Sequence, residues 1–517
     1  MVLRKGPLGF NKAYHFYAAA AGRRFRKAPV KNRRSWAELY ALEVDRAADA
    51  PVFRQIYMQL RSAILSGRLG AATKLPSTRE LAVQLGVSRS AAVAAFEQLL
   101  AEGYAFGRKG AGTYVASDLP EPFAAIHGRK KRRAPIAKAA PLRDLGGFVD
   151  MTMQSDERPF NLGRTLVDAR TAELWRKLSA RSLRSFGRHH LGYGDPQGML
   201  ELRRSVCDYL QAARGVRCEP DQVVITAGTQ QAVDIVTRVL PGPDREVWIE
   251  DPGYASIRLA LIAAGARVRP IPVDQHGIDV TEGIRRAPKA RAVFITPSHQ
   301  FPTGVVLSMS RRLELLAWAR ESGAWIVEDD YASEFRYGGR PLASLQGLDE
   351  AERVIYIGTL NKALFPGLRL GYAVMPPALV RAFVTARYLM DRQPSSLCQE
   401  VAAAFMAEGH FAAHIRRMRE LYRGQRDTLV AAITRRLGDH LSVDAPDQGM
   451  HLVAYTRRGL SDLTLERAAR DHGVIVRAIS RLYVEAPPRS GLMLGFSGYP
   501  RQIIAPAIAR LARAFEQ

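Results

Sequence analysis

The sequence predicts an α/β protein: a small N-terminal helix-turn-helix unit with a β-hairpin, then a larger domain on a mainly parallel sheet. Three observations predict it. Residues 51–115 show helical apolar spacing interrupted by turns, then two short strand-like runs around a glycine-rich tip. From residue 156 onward, apolar runs of strand length alternate with helical segments. The residues suited to chemistry fall just after those runs, where ligands sit in such sheets.

Composition bounds the classes. The 517 residues are 24% charged and 47% hydrophobic, a globular balance with length for about three domains. The three cysteines, Cys207, Cys218 and Cys398, are too few and too widely spaced for a disulfide framework or a Cys-x-x-Cys metal pair, so a reducing cytoplasm is expected. No apolar run is long enough to span a membrane. The run Phe16–Ala21 is short for a signal-peptide core and meets Arg23 and Arg24 at once. Of the net charge of +25, residues 1–150 hold +15, with 26 Lys/Arg and 11 Asp/Glu. That third is the candidate for a polyanion partner, although a generally basic composition explains the charge equally well.

Residues 1–40 hold ten Lys/Arg and one acid, Glu38, without apolar period, and read as a disordered basic arm. Either it touches DNA phosphates or it has no role.

Residues 41–116 form the first folded unit. Phe53, Ile56, Leu60 and Ile64 recur at helical spacing. Ser77 and Glu80 form a capping box that opens a second helix, with Leu81, Leu85 and Val87 buried. Gly86–Ser90 turns into a third helix with Ala94, Phe96, Leu99 and Leu100 on its core face. Residues 104–115 read as two strands with a basic tip. This is a winged helix-turn-helix, whose recognition helix presents Ser88, Arg89 and Ser90 in its first turn. A small protein-interaction module is the alternative.

Residues 117–155 are a basic, Ala/Pro-rich linker, with the run Gly128–Arg133 and then Ala and Pro to Pro141. It serves as a tether or tracks phosphates.

In residues 156–517 the strand-like runs are Val223–Thr226, Glu246–Ile249, Ala292–Thr296, Trp325–Val327 and Val354–Ile357. After the last comes Lys362. A lysine just past a buried strand is partly desolvated, which lowers its pKa and makes the neutral amine available for a Schiff base with pyridoxal phosphate. Taken alone, a solvated surface lysine is the commoner case. Arg369, seven residues on, has a planar fork suited to phosphate, and Thr359 could add a hydroxyl. Gly228, Thr229 and Gln230 follow a strand and open a helix, where free backbone amides cradle an anion. The acids of Glu328–Tyr331 follow another strand. A buried carboxylate there needs a partner, and no histidine stands at ligand spacing, so no metal is expected.

Two resemblances join these features. Leu75-Pro76-Ser77, Arg79, Leu81-Ala82 and Gly86-Val87-Ser88-Arg89 resemble the GntR signature. The resemblance implies DNA contacts from Arg79, Ser88, Arg89 and Ser90, and from Lys109 and Gly110 in the wing. Where some members carry a further arginine, this chain has Val93. The stretch Tyr356–Tyr372 resembles the cofactor-lysine motif of fold type I aminotransferases, in the form seen in MocR-type transcription regulators. The two resemblances span residues 50–115 and 155–517. The second implies a fold type I aminotransferase-like domain with pyridoxal phosphate on Lys362. Asp329 would meet the pyridine nitrogen, Tyr331 the ring hydroxyl, and Tyr254 would stack on the ring. Tyr193, in Leu191–Gly198, would cross to the phosphate of a second subunit, which makes the protein a homodimer.

Two positions depart from an aminotransferase. Phe301, in His299–Gly304, replaces the usual asparagine. Met493, in Ser490–Phe496, stands where the resemblance places an arginine for the substrate α-carboxylate. Arg477 or Arg481 could take that role from nearby.

The expectation is a DNA-binding transcription regulator without physiological turnover. Its partners would be a double-stranded operator and an effector, either an amine or amino acid or pyridoxal phosphate itself. The rival is an active aminotransferase carrying a tethered DNA-binding domain. A third reading, a vestigial cofactor site, is opposed by Lys362, Asp329 and Arg369.

Overall fold

The structure is a computed structural model that describes residues 42–119, 157–240, 245–339, 342–457 and 459–516. The expected basic arm and nearly all of the linker lie outside the described residues. The chain divides into two compact units, Met1–Lys138 and Ala139–Gln517.

In the first unit, α1 (Val52–Leu65), α2 (Thr78–Gln84) and α3 (Arg89–Ala101) precede the antiparallel hairpin β1 (Ala105–Arg108) and β2 (Gly112–Val115). The Ser77 hydroxyl accepts from Glu80 N at 3.2 Å, and Glu80 Oε2 accepts from Ser77 N at 2.8 Å. This reciprocal cap satisfies two orphan amides and sets where α2 begins. Ser88 caps α3, accepting from Ala91 N at 3.3 Å. Ile56, Leu60, Ile64, Leu81, Phe96 and Leu99 are buried together. Burial of each such side chain is worth about 1.5–3 kcal/mol. Some expected core residues differ. Leu85 and Val87 are half-buried at the core's edge, Ala94 is half-buried, and Leu100 is exposed. Position 100 lies one residue past the buried stripe Ala92, Ala95, Phe96, Leu99, so helical rotation turns it outward.

The second unit contains an eight-stranded sheet. Its principal elements, in chain order, start with α4 (Ala169–Arg184), α5 (Leu200–Arg214), β3 (Val223–Thr226), α6 (Thr229–Val239), β4 (Glu246–Asp251) and α7 (Ala255–Ala263). Next come β5 (Arg267–Asp274), β6 (Gly277–Ile278), β7 (Ala292–Ile295), α8 (Met309–Ser322), β8 (Trp325–Asp330), β9 (Val354–Thr359), the short α9 (Leu360–Ala363) and β10 (Gly371–Val374). The sheet order is β3-β10-β9-β8-β7-β4-β5-β6. Neighbours from β9 through β5 are parallel, whereas β10 runs antiparallel to both β3 and β9. Helices α10 (Pro377–Asp391), α11 (Ser396–Ala407) and α12 (His410–Leu437) follow. A second, antiparallel sheet, β11 (Leu441–Val443), β12 (His451–Thr456), β13 (Arg477–Ala478) and β14 (Gly491–Gly495), has the order β11-β12-β14-β13. Strands β3, β7 and β9 are buried throughout, so both faces of the main sheet are covered.

One strand boundary corrects the sequence reading. Glu328, Asp329 and Asp330 belong to β8 rather than following it. Acids are poor strand formers, but each of the outer two has a partner that holds it in the sheet. Glu328 accepts from the Leu345 and Gln346 amides, both at 3.0 Å, and Asp330 pairs with buried Arg214 at 2.8 Å. No helix among the described residues is long and apolar enough to cross a membrane.

Candidate functional site

In the first unit, Arg79, Ser88, Arg89, Ser90, Lys109 and Gly110 are all exposed. Arg79 stands in the first turn of α2, and Arg89 begins α3. Ser88 and Ser90 share a hydrogen bond at 3.0 Å, so their hydroxyls and the cap hold the start of α3 rigid. Lys109 and Gly110 occupy the hairpin tip, with Gly110 at φ 76°. Sequence reasoning missed Arg108. Its guanidinium lies 5.3 Å from the Phe106 ring and 4.9 Å from the Tyr114 ring, which face each other across the hairpin. The signal was there, since a four-residue hairpin register pairs Phe106 with Tyr114, and stacked rings immobilise a cation.

The second site stands at the carboxyl edge of the main sheet. The turn after β9 carries Lys362 in α9, half-buried, with Nζ donating to the Gly163 carbonyl at 3.2 Å. Burial lowers its amine pKa to about 8. Gly228 ends the turn after β3 at φ 114° and caps α6, with Thr229 as its first residue. A Cβ at Gly228 would fall 2.6 Å from Asn361 Nδ2 and 3.9 Å from Arg369 Nη1. Lysine loop, phosphate turn and arginine thus converge on one point of bare backbone. Asn361, which sequence reasoning missed, is buried and accepts from Leu370 N at 2.9 Å, tying the lysine turn to the arginine turn. The Thr359 hydroxyl is engaged inside this loop, accepting from Asn361 N at 3.1 Å and lying 3.4 Å from the Leu370 carbonyl. Gln230 is exposed, and it is Gln231 that closes the turn, accepting from Ala227 N at 2.8 Å.

Asp329 is the middle acid of β8. Strand alternation turns it to the face opposite Glu328 and Asp330. It is 4% exposed, and its Oδ1 has no hydrogen-bond partner among the described residues. Burial, then the Asp330 and Glu250 carboxylates, push it well above the ordinary carboxylate range. The Tyr331 hydroxyl is likewise buried and unpartnered. Tyr254 stands edge-on to Phe301 at 5.4 Å, and Phe301 edge-on to Tyr331 at 6.2 Å. Neither His299 ring nitrogen has a hydrogen-bond partner among the described residues, and burial beside His451 lowers its pKa to about 3. His451, also missed, lies 5.3 Å from His299 and 5.4 Å from Phe301. It reaches the site from the second sheet, so no local pattern announces it.

One of the expected residues stands apart. Tyr193 is 80% exposed, with the Arg392 guanidinium 4.6 Å over its ring, and joins no other site residue within one chain. Met493 is buried in β14 opposite Val453. Arg477 and Arg481 both meet Glu466, at 3.8 and 3.0 Å.

These residues fit pyridoxal phosphate. A buried carboxylate with no cation is a costly arrangement that a protonated ring nitrogen would relieve. A lowered amine, a bare-backbone cradle at a helix start and a guanidinium beside it supply the remaining contacts.

Known proteins agree with this architecture. Residues 160–495 match the family "Aminotransferase class I and II", and residues 53–115 match "Bacterial regulatory proteins, gntR family". The chain is 40% identical, over 92% of its length and 96% of the relative's, to the probable rhizopine catabolism regulatory protein MocR of Rhizobium meliloti. It is 34% identical, over 92% of its own length and 98% of the relative's, to the uncharacterized HTH-type transcriptional regulator YdeL of Bacillus subtilis (strain 168). Among solved structures, LysN of Thermus thermophilus, an α-aminoadipate aminotransferase complexed with N-(5'-phosphopyridoxyl)-L-leucine, aligns with a TM-score of 0.63 at 28% identity, over 73% of this chain and 95% of that one. The winged helix and the aminotransferase fold on one chain, with a MocR relative matched nearly end to end, place it in a family: the chain belongs to the MocR-type transcription regulators, in which a GntR-family helix-turn-helix precedes a class I and II aminotransferase domain.

Proposed function

We propose that this regulator binds its operator as a cytoplasmic homodimer, and that its second unit reads either pyridoxal phosphate itself or a small amine presented to it. Residues 41–116 are the DNA-binding part and residues 156–517 the effector part. The observation that carries the effector reading is Asp329, a buried carboxylate whose Oδ1 has no partner among the described residues, on the strand next to the one that leads into the Lys362 turn. Pyridoxal phosphate is the cofactor, and when bound its ring acts as an electron sink for an attached amine. Around it this chain's own residues have separate tasks. Lys362 is the anchor, and its amine, held near about 8, is readily neutral. Asp329 would keep the ring nitrogen protonated. The Gly228–Thr229 amides and Arg369 would take the phosphate, with Thr359 and Gln230 the further candidates for it. Tyr331 would meet the ring hydroxyl and Tyr254 the ring face. Arg79, Ser88, Arg89 and Ser90 meet the operator, and Lys109 and Gly110 its adjacent groove.

The homodimer is supported by an exposed apolar surface. Leu191 is 74% exposed, Tyr193 80% and Leu389 77%, and Arg392 bridges the Tyr193 and Tyr388 rings. Exposed aromatic and aliphatic groups gathered in this way mark an interaction face. Effector binding then shifts the balance between two dimer arrangements, and so the fit of two recognition helices to two half-sites. The aminotransferase alternative draws support from the near-neutral Lys362 amine, which suits proton transfer.

The test starts from duplex DNA selected out of a random pool by the purified protein. Its affinity is measured with the cofactor removed, restored, and restored with added amine, while light scattering reports mass. The expected result is a dimer whose operator affinity changes severalfold with the state of the second unit. A monomer, or an affinity indifferent to cofactor and amine alike, overturns the reading.

A further inference from the structure

The wall beyond Lys362 is apolar. Alternate residues of a strand share a face, so His451, Val453 and Tyr455 of β12 look the same way. Met493 lies opposite Val453, and these two are buried with Ile479, while Leu162, Phe301 and Tyr455 pack against them. This cluster meets the lysine from two sides. Leu162 precedes Gly163, whose carbonyl accepts from Lys362 Nζ at 3.2 Å. Phe301 lies 5.4 Å from His451, which stands within reach of the Lys362 charge.

The arginines near this wall have partners of their own among the described residues, and Arg164, next to Gly163, meets Glu157 at 3.5 Å. Arg477 and Arg481 meet Glu466 at 3.8 and 3.0 Å. Arg489 lies 3.8 Å over the Tyr455 ring, and Tyr455 is four residues along β12 from His451. At strand rise that is roughly 13 Å. A carboxylate on the carbon that bears the amine must lie within a few ångströms of the nitrogen, and so against Met493 and Phe301. There it would lose its water and, among the described residues, gain no cation.

We infer that the effector of this site is a primary amine with no carboxylate on its amine-bearing carbon, and that its substituent is an uncharged, mainly apolar group resting on Met493, Val453 and Phe301. This inference rests on the amine-sensing reading above.

The test is isothermal titration calorimetry of the cofactor-loaded protein with two matched pairs, 3-methylbutylamine against leucine and 2-phenylethylamine against phenylalanine. Within each pair the carboxylate is the only difference. Each amine is expected to bind about tenfold or more tightly than its amino acid, the factor that one unpaired polar group readily produces. Met493→Arg is expected to abolish or reverse the order, while Met493→Leu, which keeps the wall apolar, preserves it. Amino acids that bind the wild type as tightly as the amines overturn the inference, and loss of that affinity in Arg489→Ala would then identify Arg489 as the clamp. Silence from both classes, with the cofactor still bound, refutes amine sensing itself and removes this inference with it.

Discussion

Replacing Lys362 with methionine should stabilise the cofactor-free protein, and by an amount that depends on pH. A change of one in pKa corresponds to about 1.4 kcal/mol between protonation states. Moving the amine from its usual 10.5 to about 8 means that holding it as a buried cation costs roughly 3 kcal/mol. Methionine fills similar space without charge. It forfeits the bond to the Gly163 carbonyl, worth about 1 kcal/mol, so the net gain near neutrality is about 2 kcal/mol. The sign follows from proton counts. Between about 8 and 10.5 the unfolded lysine keeps its proton while the folded one has lost it, so wild-type stability rises with pH across that window. The advantage of Lys362→Met is therefore complete below about pH 8 and should shrink by about 2 kcal/mol between pH 7 and about pH 9.5. Urea unfolding of the cofactor-stripped proteins, followed by tryptophan fluorescence, measures this. Four of the five tryptophans, Trp175, Trp248, Trp318 and Trp325, lie in the second unit; the fifth, Trp36, precedes the winged helix, and residues 52–115 contain none, so most of the signal reports the right unit. A variant less stable than wild type at pH 7, or a difference that does not change with pH, refutes the argument that Lys362 is a desolvated cation.

Asp329→Asn should act in opposite senses on the two states. It removes an unpaired buried carboxylate, so the cofactor-free protein should melt at a higher temperature, while pyridoxal phosphate binding measured by equilibrium dialysis should weaken about tenfold or more. Arg89→Ala should cost roughly 1–3 kcal/mol of operator affinity and leave cofactor affinity unchanged, whereas Lys109→Ala should weaken selected and random duplexes alike, and fluorescence anisotropy distinguishes the two patterns. Conversion of bound cofactor to pyridoxamine phosphate on adding common amino acids should be slow in wild type and faster in Met493→Arg, because a carboxylate clamp restores orientation. Wild-type turnover at roughly 1–10³ per second would replace the sensor with an enzyme.

Much of this protein is determined by local pattern. The capping box Ser77–Glu80 fixes the start of α2 because two reciprocal hydrogen bonds span only three residues. Lys362, Gly228 and Asp329 were legible because each lies at or just past the end of a run of strand length, and a parallel sheet brings all its carboxyl ends to one edge. What the tertiary structure decided are relations that no spacing contains. Three consecutive acids look alike in sequence. Glu328 has two backbone amides and Asp330 has Arg214, whereas among the described residues no hydrogen bond reaches Oδ1 of Asp329 and no cation pairs with it. Asn361 matters because Gly228, more than a hundred residues earlier, comes to rest against its amide. His451 enters from a separate sheet. Met493 could be read as a missing arginine, but whether Arg477 or Arg481 replaced it depended on Glu466, which α13 (Ser461-capped, Asp462–Asp471) brings within 3.8 and 3.0 Å of them. Local hydrogen bonds and periodicity are written in neighbouring residues, whereas charge pairing in a low-dielectric interior depends on which distant groups packing brings within a few ångströms.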